Sequence, residues 1–362
     1  MPDLQAAIAY ACGHEVDWPR DPHTAVVAGN SRFGVHHDDP PPWNQLRGPV
    51  HARGPVSGVV WQHGKEVAAW GEPERADLSF SVAKTYLCLL AAVAQQRGLL
   101  PDPHEPVRVR VPGIGFESSQ NREISWAHMM EQTSEWEGSC FGLPDTVDRY
   151  RTVAHDPTPP TGVKGQARPL RAPGSYWEYN DVRINQFALA LLHLHGRSLP
   201  EVFAEAILQP LGAAADWQWV GYDDAWVELS AIGAAPRRVR SVPGGSHWGG
   251  GVSIGARDQA RIGQMLLDGG QFQGRSLIPA SWAVRMVQPC SLAPFYGWLC
   301  WLNPGARTFP GASARSFFMV GAGGHYVWID PALDAVTVVR WVDSGHAAGF
   351  MQRVTDALVA SA

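Results

Sequence analysis

The stretch that most restricts the fold is LSFSVAKTYLCLLAAVAQQRG, residues 78–98. From Ser81 to Arg97 its apolar residues recur at helical spacing, and Gly98 supplies a C-terminal stop. The helix is apolar on nearly every side, so other elements must cover all of it. It also carries Lys84, one of only three lysines in the chain, with Lys65 and Lys164. An ammonium inside an apolar helix needs a partner, and a nearby serine and tyrosine would supply one.

The elements able to cover such a helix lie at both ends of the chain. GPVSGVVWQHGKEVAAWG, from Gly54, holds two apolar runs around His63-Gly64-Lys65 and reads as a β-hairpin. Near the C-terminus, FFMVG, HYVWIDP and AVTVVRWVD are three β-rich runs separated by turns, an antiparallel meander, and a helix follows over roughly 349–360. Between them lie helices and long irregular loops. Ile124 to Glu131, Val182 to His195, Leu199 to Leu208 and Ala256 to Leu267 have helical spacing; 155–174, rich in Pro and Gly, reads as loop. The expected fold class is α+β: a central antiparallel sheet flanked by helices, with a mostly helical domain inserted. The sheet domain would be discontinuous, 1–100 plus 245–362, with the helical domain over 101–244. The 362 residues, 45% hydrophobic and 17% charged, suffice for this core.

A net charge of −5 gives no basic field for nucleic acid or an anionic membrane. Five scattered cysteines, without C-x-x-C, read as free and mostly buried thiols. The N-terminal stretch lacks a basic n-region, and no long apolar run exists, so a cytoplasmic protein is expected.

Three segments carry chemistry. Ser81-Val82-Ala83-Lys84 is an S-x-x-K at a helix start, and residues three apart share a face, roughly 5–6 Å apart at Cβ. Burial lowers a lysine's pKa, so Lys84 is expected as a neutral amine that activates the Ser81 hydroxyl. With 22 serines and three lysines, chance alone gives roughly 0.2 such pairs, so the motif needs its context. The second segment is Pro173-Gly174-Ser175-Tyr176-Trp177-Glu178-Tyr179-Asn180-Asp181. Tyr179 would be a second proton carrier; the bland reading is an aromatic loop with Asp181 as helix cap. The third is Gly321-Ala322-Gly323-Gly324-His325, where backbone could approach a ligand or simply turn.

These segments together resemble the serine β-lactamase and penicillin-binding-protein superfamily, in its class C and esterase-like branch. The likeness runs from about Gly54 to Val342. Ile124 to Ser134 resembles the family's I-T-x-x-H-L-L-x-H-T-S helix, Pro173 to Asp181 its P-G-x-x-F-x-Y-S-N, Ile207 to Gly212 its I-x-x-P-L-G-M, and Gly250 to Leu267 its G-G-L-x-S-T-A segment with the helix that follows. The resemblance implies Ser81 as nucleophile, Lys84 as its base and Tyr179 as proton shuttle. It implies an oxyanion hole from the backbone N–H groups of Ser81 and Ala322, as in the superfamily's esterases and nylon-oligomer amidases. Asp181 stands where the family has Asn or Ser. The third family motif lacks its basic residue, which argues against a penicillin-type carboxylate. Asp181, Gly323, Gly324, His325 and Trp248 are the expected substrate contacts.

The expected activity is hydrolysis of a small-molecule ester or amide through an acyl-enzyme, with no cofactor and no metal. A transacylase, a D-peptidase or β-lactamase, and an inactive ligand-binding member are the alternatives. Oligomeric state is not legible. Gly251-Val252-Ser253-Ile254-Gly255 also matches G-x-S-x-G, but no buried strand is expected before it, and Ser253 reads as a turn or cap. His36-His37-Asp38-Asp39 reads as solvated loop rather than a metal site.

Overall fold

The computed structural model describes residues 3–22, 26–27, 30–31, 39–229 and 236–361. Its main sheet is antiparallel and takes strands from both chain ends. The N-terminal part supplies β1 (Ser57–Gln62) and β2 (Lys65–Trp70), the expected hairpin, followed by a short β3 (Asp77–Leu78). A second small sheet places β3 and β4 (Gln218–Val220) on either side of β5 (Gly251–Ile254). The C-terminal part supplies β6 (Trp301–Leu302), β7 (Phe317–Gly321), β8 (His325–Asp330) and β9 (Ala335–Arg340). The main-sheet order is β6-β7-β8-β9-β1-β2, and β9 joins the two chain ends, with Ala335 opposite Gln62 and Arg340 opposite Ser57. Every residue of β8 and β9 is buried, so both sheet faces are covered.

The main helices in chain order are α1 (Gln5–Gly13), α2 (Val82–Gln96), α3 (Trp126–Met130), α4 (Asp181–His195), α5 (Leu199–Phe203), α6 (Ala256–Leu267) and α7 (Ala347–Val359), with a further helix over Ala280–Met286 between α6 and α7 and shorter turns elsewhere. As its composition demanded, α2 is buried without a break from Val82 to Ala94, packed between α4 and the sheet. Across β9, β8 and β1 lies α6, where Gly263 allows the close approach: a Cβ there would lie 2.6 Å from Val336 Cγ1. The expected helix over 199–208 is α5 continued by a π-type turn over Ala204–Leu208.

Helix α1 was not legible in the sequence: it has no side-chain cap and no apolar stripe, and it forms by packing on α7. Ser253 departs from the expected turn or cap. It sits inside β5, paired with Leu78 and Gln218, and Gly255 precedes α6. It is therefore not at a strand-to-helix elbow. Of the cysteines, Cys12 is exposed and Cys88, Cys140, Cys290 and Cys300 are buried and free.

Buried Arg340, at the end of β9, ties the sheet to the segment leading into α2. Its guanidinium donates to Ser57 Oγ and to the carbonyls of Glu72, Arg75 and Ile254. No helix of the described residues is long and apolar enough to cross a membrane.

Two predictions follow from this packing. A Cβ at Gly58 would lie 2.3 Å from the Val338 carbonyl and 2.5 Å from the Trp70 ring. Gly58→Ala should cost about 3 kcal/mol in urea unfolding. Burial also holds His155 and His195 down to about 4 and puts His325 well below its ordinary value. The unfolded chain takes those protons near pH 6.5 while the folded chain refuses them. Stability should therefore fall below about pH 6.5, by up to about 1.4 kcal/mol per pH unit for each such histidine, until the folded-state values are reached. Urea midpoints at pH 7 and pH 5 check this; unchanged midpoints would contradict it.

Candidate active site

Ser81 owes its position to a strained turn. Ser79 is pinned by both its N–H and its hydroxyl to the Val252 carbonyl, at 2.7 and 3.0 Å. Phe80 then takes a left-handed φ of +51°, costly for a bulky residue. Its buried ring stands edge-on to Trp18, His325 and Trp341, which holds that conformation. Ser81 follows at the mouth of α2, half-buried, with its carbonyl accepting from the Lys84 N–H.

One helical turn on, Lys84 Nζ lies 2.9 Å from Ser81 Oγ and donates to it, and also donates to the Gly244 carbonyl at 3.2 Å. Its third contact is Asp181, with Nζ 2.5 Å from Oδ1. Burial pushes the Lys84 pKa down, but the Asp181 carboxylate outweighs it and the net shift is upward. The neutral lysine expected from burial alone is thus corrected: at rest Lys84 is an ammonium.

Asp181 reaches this place through the segment before α4. Asn180 is buried and accepts from the Arg183 N–H, so Asn180 rather than Asp181 caps the helix. The Gln132 side chain accepts from the Asn180 N–H and the Gln132 carbonyl from the Glu178 N–H, which fixes Tyr179 between them. Tyr179 is buried, with Lys84 Nζ 4.7 Å and the Arg151 guanidinium carbon 5.5 Å from its ring centroid. Ser81, Lys84, Tyr179 and Asp181 are therefore together.

Asp181 is not placed as a free substrate contact. Oδ1 faces Lys84, and Oδ2 accepts from Arg151. Burial opposes its ionisation, yet Arg151, Lys84 and His247 hold it well below the usual carboxylate range. Asp148 joins this cluster. It accepts from the Asp181 N–H at 2.6 Å and from Arg151 at 3.1 Å. Burial raises its pKa, but Arg151 and His247 prevail and lower it. Asp148, Asp181 and His247 offer ligand atoms within 4.8 Å of one another, close enough for a divalent ion. Arg151 and Lys84 already neutralise these carboxylates, so the donor set fits an ion-pair network and not a metal.

The glycine turn meets the same region. Gly321 ends β7 so close to the nucleophile's turn that a Cβ there would lie 2.3 Å from the Ser79 carbonyl. A cavity of about 150 Å³ opens beside it, walled by Trp18, His155, Gly321, Ala322, Gly323 and Gly324 among others. Two expected substrate contacts lie in the packing instead. Trp248 is fully buried and stacks on His247 at 3.8 Å, and His325 is 1% exposed, 4.3 Å from Trp341. Of the His36–Asp39 stretch, His36, His37 and Asp38 lie outside the described residues. Asp39 is buried, bonded to Lys164 and to His247, so it is not solvated.

Arg151, Asp148 and Gly244 went unseen in the sequence because nothing local marks them; they arrive from distant loops. Lys164 had one signal, its rarity.

A family model described as β-lactamase matches residues 50–358. The chain belongs to the β-lactamase family. Solved structures agree on the fold of this β-lactamase-family protein at low identity. A Bacillus anthracis protein, described provisionally as a 6-aminohexanoate-dimer hydrolase, is 16% identical with a TM-score of 0.62, covering 99% of this chain and 95% of its own. EstCE1, described as a hydrolase with promiscuous acyltransferase activity, is 17% identical with a TM-score of 0.58, covering 84% and 93%. A penicillin-binding-protein homologue from Caulobacter crescentus is 17% identical with a TM-score of 0.58, covering 85% and 92%.

The buried ion pair makes a direct prediction. Lys84→Met removes one of the two cations on the buried Asp181 carboxylate and should cost about 3 kcal/mol, while Lys84→Met with Asp181→Asn should recover much of that loss. Urea unfolding of the wild type, both single variants and the double variant measures the coupling; simple additivity would show that the pair contributes nothing.

Proposed function

We infer that this β-lactamase-family protein is a serine hydrolase that cleaves an ester or amide through an acyl-enzyme on Ser81. The observation that carries the reading is the 2.9 Å contact of Lys84 Nζ with Ser81 Oγ, beside Tyr179, at the opening of a buried helix. Nucleophile and base must share a hydrogen bond for the hydroxyl to lose its proton as it attacks. The family membership supports the same chemistry.

In the reaction, Ser81 Oγ attacks the carbonyl carbon and its proton passes to the Lys84–Tyr179 pair. The oxyanion forms between the backbone N–H groups of Ser81 and Ala322, with the start of α2 adding favourable dipole. Collapse expels the alcohol or amine, which takes the proton through Tyr179. Water, deprotonated by the same pair, attacks the acyl-Ser81 ester and releases the acid. The cavity beside Ala322 gives room for one arm of the substrate. Because the Asp181 carboxylate favours the charged form of Lys84, the lysine must lose a proton before it accepts one.

Two results are expected. A fluorophosphonate should add once, to Ser81 and not to Ser253, as read by intact mass and peptide mapping; Lys84→Ala should abolish the adduct. An adduct on Ser253, or none, would sink the reading. The rate of adduct formation should also rise with pH through the Lys84 titration. Asp181→Asn removes the anion that holds Lys84 charged, so this rise should move to lower pH by about one unit or more. No shift would mean that Asp181 does not govern the lysine.

A further inference from the structure

The cavity beside Ala322 takes one of its walls from a loop that crosses to the main sheet. Residues 150–164 form a single excursion, drawn together at its base by the Gly165 N–H, which donates to the Arg149 carbonyl at 2.9 Å. Loops whose ends meet in this way are compact and often carry function. At the start of the excursion, Arg151 pairs with Asp148 and with Asp181 beside Lys84. Four positions on, His155 meets the sheet. Its Nε2 lies 2.8 Å from the Tyr326 hydroxyl on β8. Its ring lies 4.6 Å from that of Phe309, which stacks in turn on Phe318 of β7 at 4.0 Å. Tyr326 is 2% exposed, and a buried hydroxyl needs such a partner. His155 holds a left-handed φ of +71°, a conformation uncommon outside glycine that persists only where the surroundings enforce it.

We propose that this cavity is the subsite for a compact, uncharged arm of the substrate, about the size of a benzene ring, and that His155, clasped to Tyr326, limits the length of that arm. The inference rests on the reading of Ser81 as an acyl-transfer serine and names the shape of substrate that this serine serves.

Size carries the first part. The cavity measures about 150 Å³, and a cavity of that volume accommodates one benzene ring. Three aromatic side chains, Trp18, His155 and Tyr326, share its wall with Val16, Val320 and the backbone of the 321–324 turn. Burial holds the His155 pKa at about 4, so its ring is neutral at neutral pH. Flat or aliphatic groups pack well on such a surface. Ala322 lines the same space, so a carbonyl held at the Ala322 N–H has the cavity next to one of its two substituents. Position carries the second part. Val320 and Tyr326 stand on strands of the sheet, whereas His155 stands on a loop, held there by a hydrogen bond and ring contacts. Truncation of the imidazole vacates the space it fills against Phe309 and Tyr326, and a longer arm can enter it.

The test varies the two arms separately. One series is p-nitrophenyl esters and p-nitroanilides of straight-chain acids, and the other is acetates of straight-chain alcohols. Both are read as kcat/KM on the wild type, His155→Ala, His155→Phe and Val320→Phe. In the series whose varied arm enters the cavity, the wild type should lose roughly tenfold once the arm passes about six carbons. His155→Ala should carry the limit roughly two carbons further. His155→Phe, which restores the bulk without the hydrogen bond, should bring the limit back. Val320→Phe, which fills the cavity from the sheet side, should move it to shorter arms. A merely structural role would lower every substrate alike. No limit in either series, or a limit that His155→Ala leaves in place, overturns the proposal. If His155→Ala fails to fold, Val320→Phe decides in the same way. If the wild type cleaves none of these compounds and takes no fluorophosphonate, the acyl-transfer reading fails. The cavity is then judged by saturation-transfer NMR with benzene and naphthalene as probes. Benzene alone should bind the wild type, and both should bind His155→Ala; a wild type that binds both equally, or neither, overturns the subsite.

Discussion

The structure around Ser81 depends on one buried ion pair, Lys84 with Asp181. Burial alone would strip the charge from Lys84. A carboxylate 2.5 Å away reverses that, and the lysine stays charged inside an otherwise apolar helix. The pair links the starts of α2 and α4, next to which the candidate nucleophile and the candidate proton shuttle stand. Since α2 is buried from Val82 to Ala94, the ammonium's partners come from the fold. Gly244, Ser81 and Asp181 are those partners.

A second consequence is that Asp181 cannot be considered alone. Its carboxylate sits 3% exposed among Arg151, Lys84 and His247, with Asp148 behind it. Buried charges of this kind add little net stability when matched, and cost much when one partner is removed. Such a network suits specificity of arrangement: each charge fixes the orientation of the next. Asp181 supplies the acid of this network, and Arg151 accompanies Lys84 as its second cation.

The backbone strain at Phe80 belongs to the same design. A left-handed bulky residue persists only where packing over-determines it. Trp18, Trp341 and His325 surround its ring, and the Val252 carbonyl holds Ser79 just before it. His325 and Trp248, which the sequence suggested as substrate contacts, act here as packing beneath the site. The glycines at 321–324 have a geometric reason of their own. At Gly321 a side chain would strike the Ser79 carbonyl, and at Gly324, with φ of +71°, it would strike that of Val342.

Much was legible in the sequence. The apolar period of Ser81–Arg97 demanded a buried helix, the hairpin around His63-Gly64 and the three late β runs demanded an antiparallel sheet, and the spacing of Ser81 and Lys84 put both on one helix face. These are local properties, set by the 3.6-residue and two-residue periods and by turn chemistry. The order and spacing of the longer motifs carried the family resemblance. What the sequence could not decide is which charges meet. Asp39, Asp148, Arg151, Lys164 and His247 lie in loops and a short 3-10 turn, and their proximity is a product of long-range packing. For the same reason the charge of Lys84 was misjudged. Burial can be read from a hydrophobic pattern, but the compensating carboxylate, ninety-seven positions away, is brought within reach only by the tertiary structure.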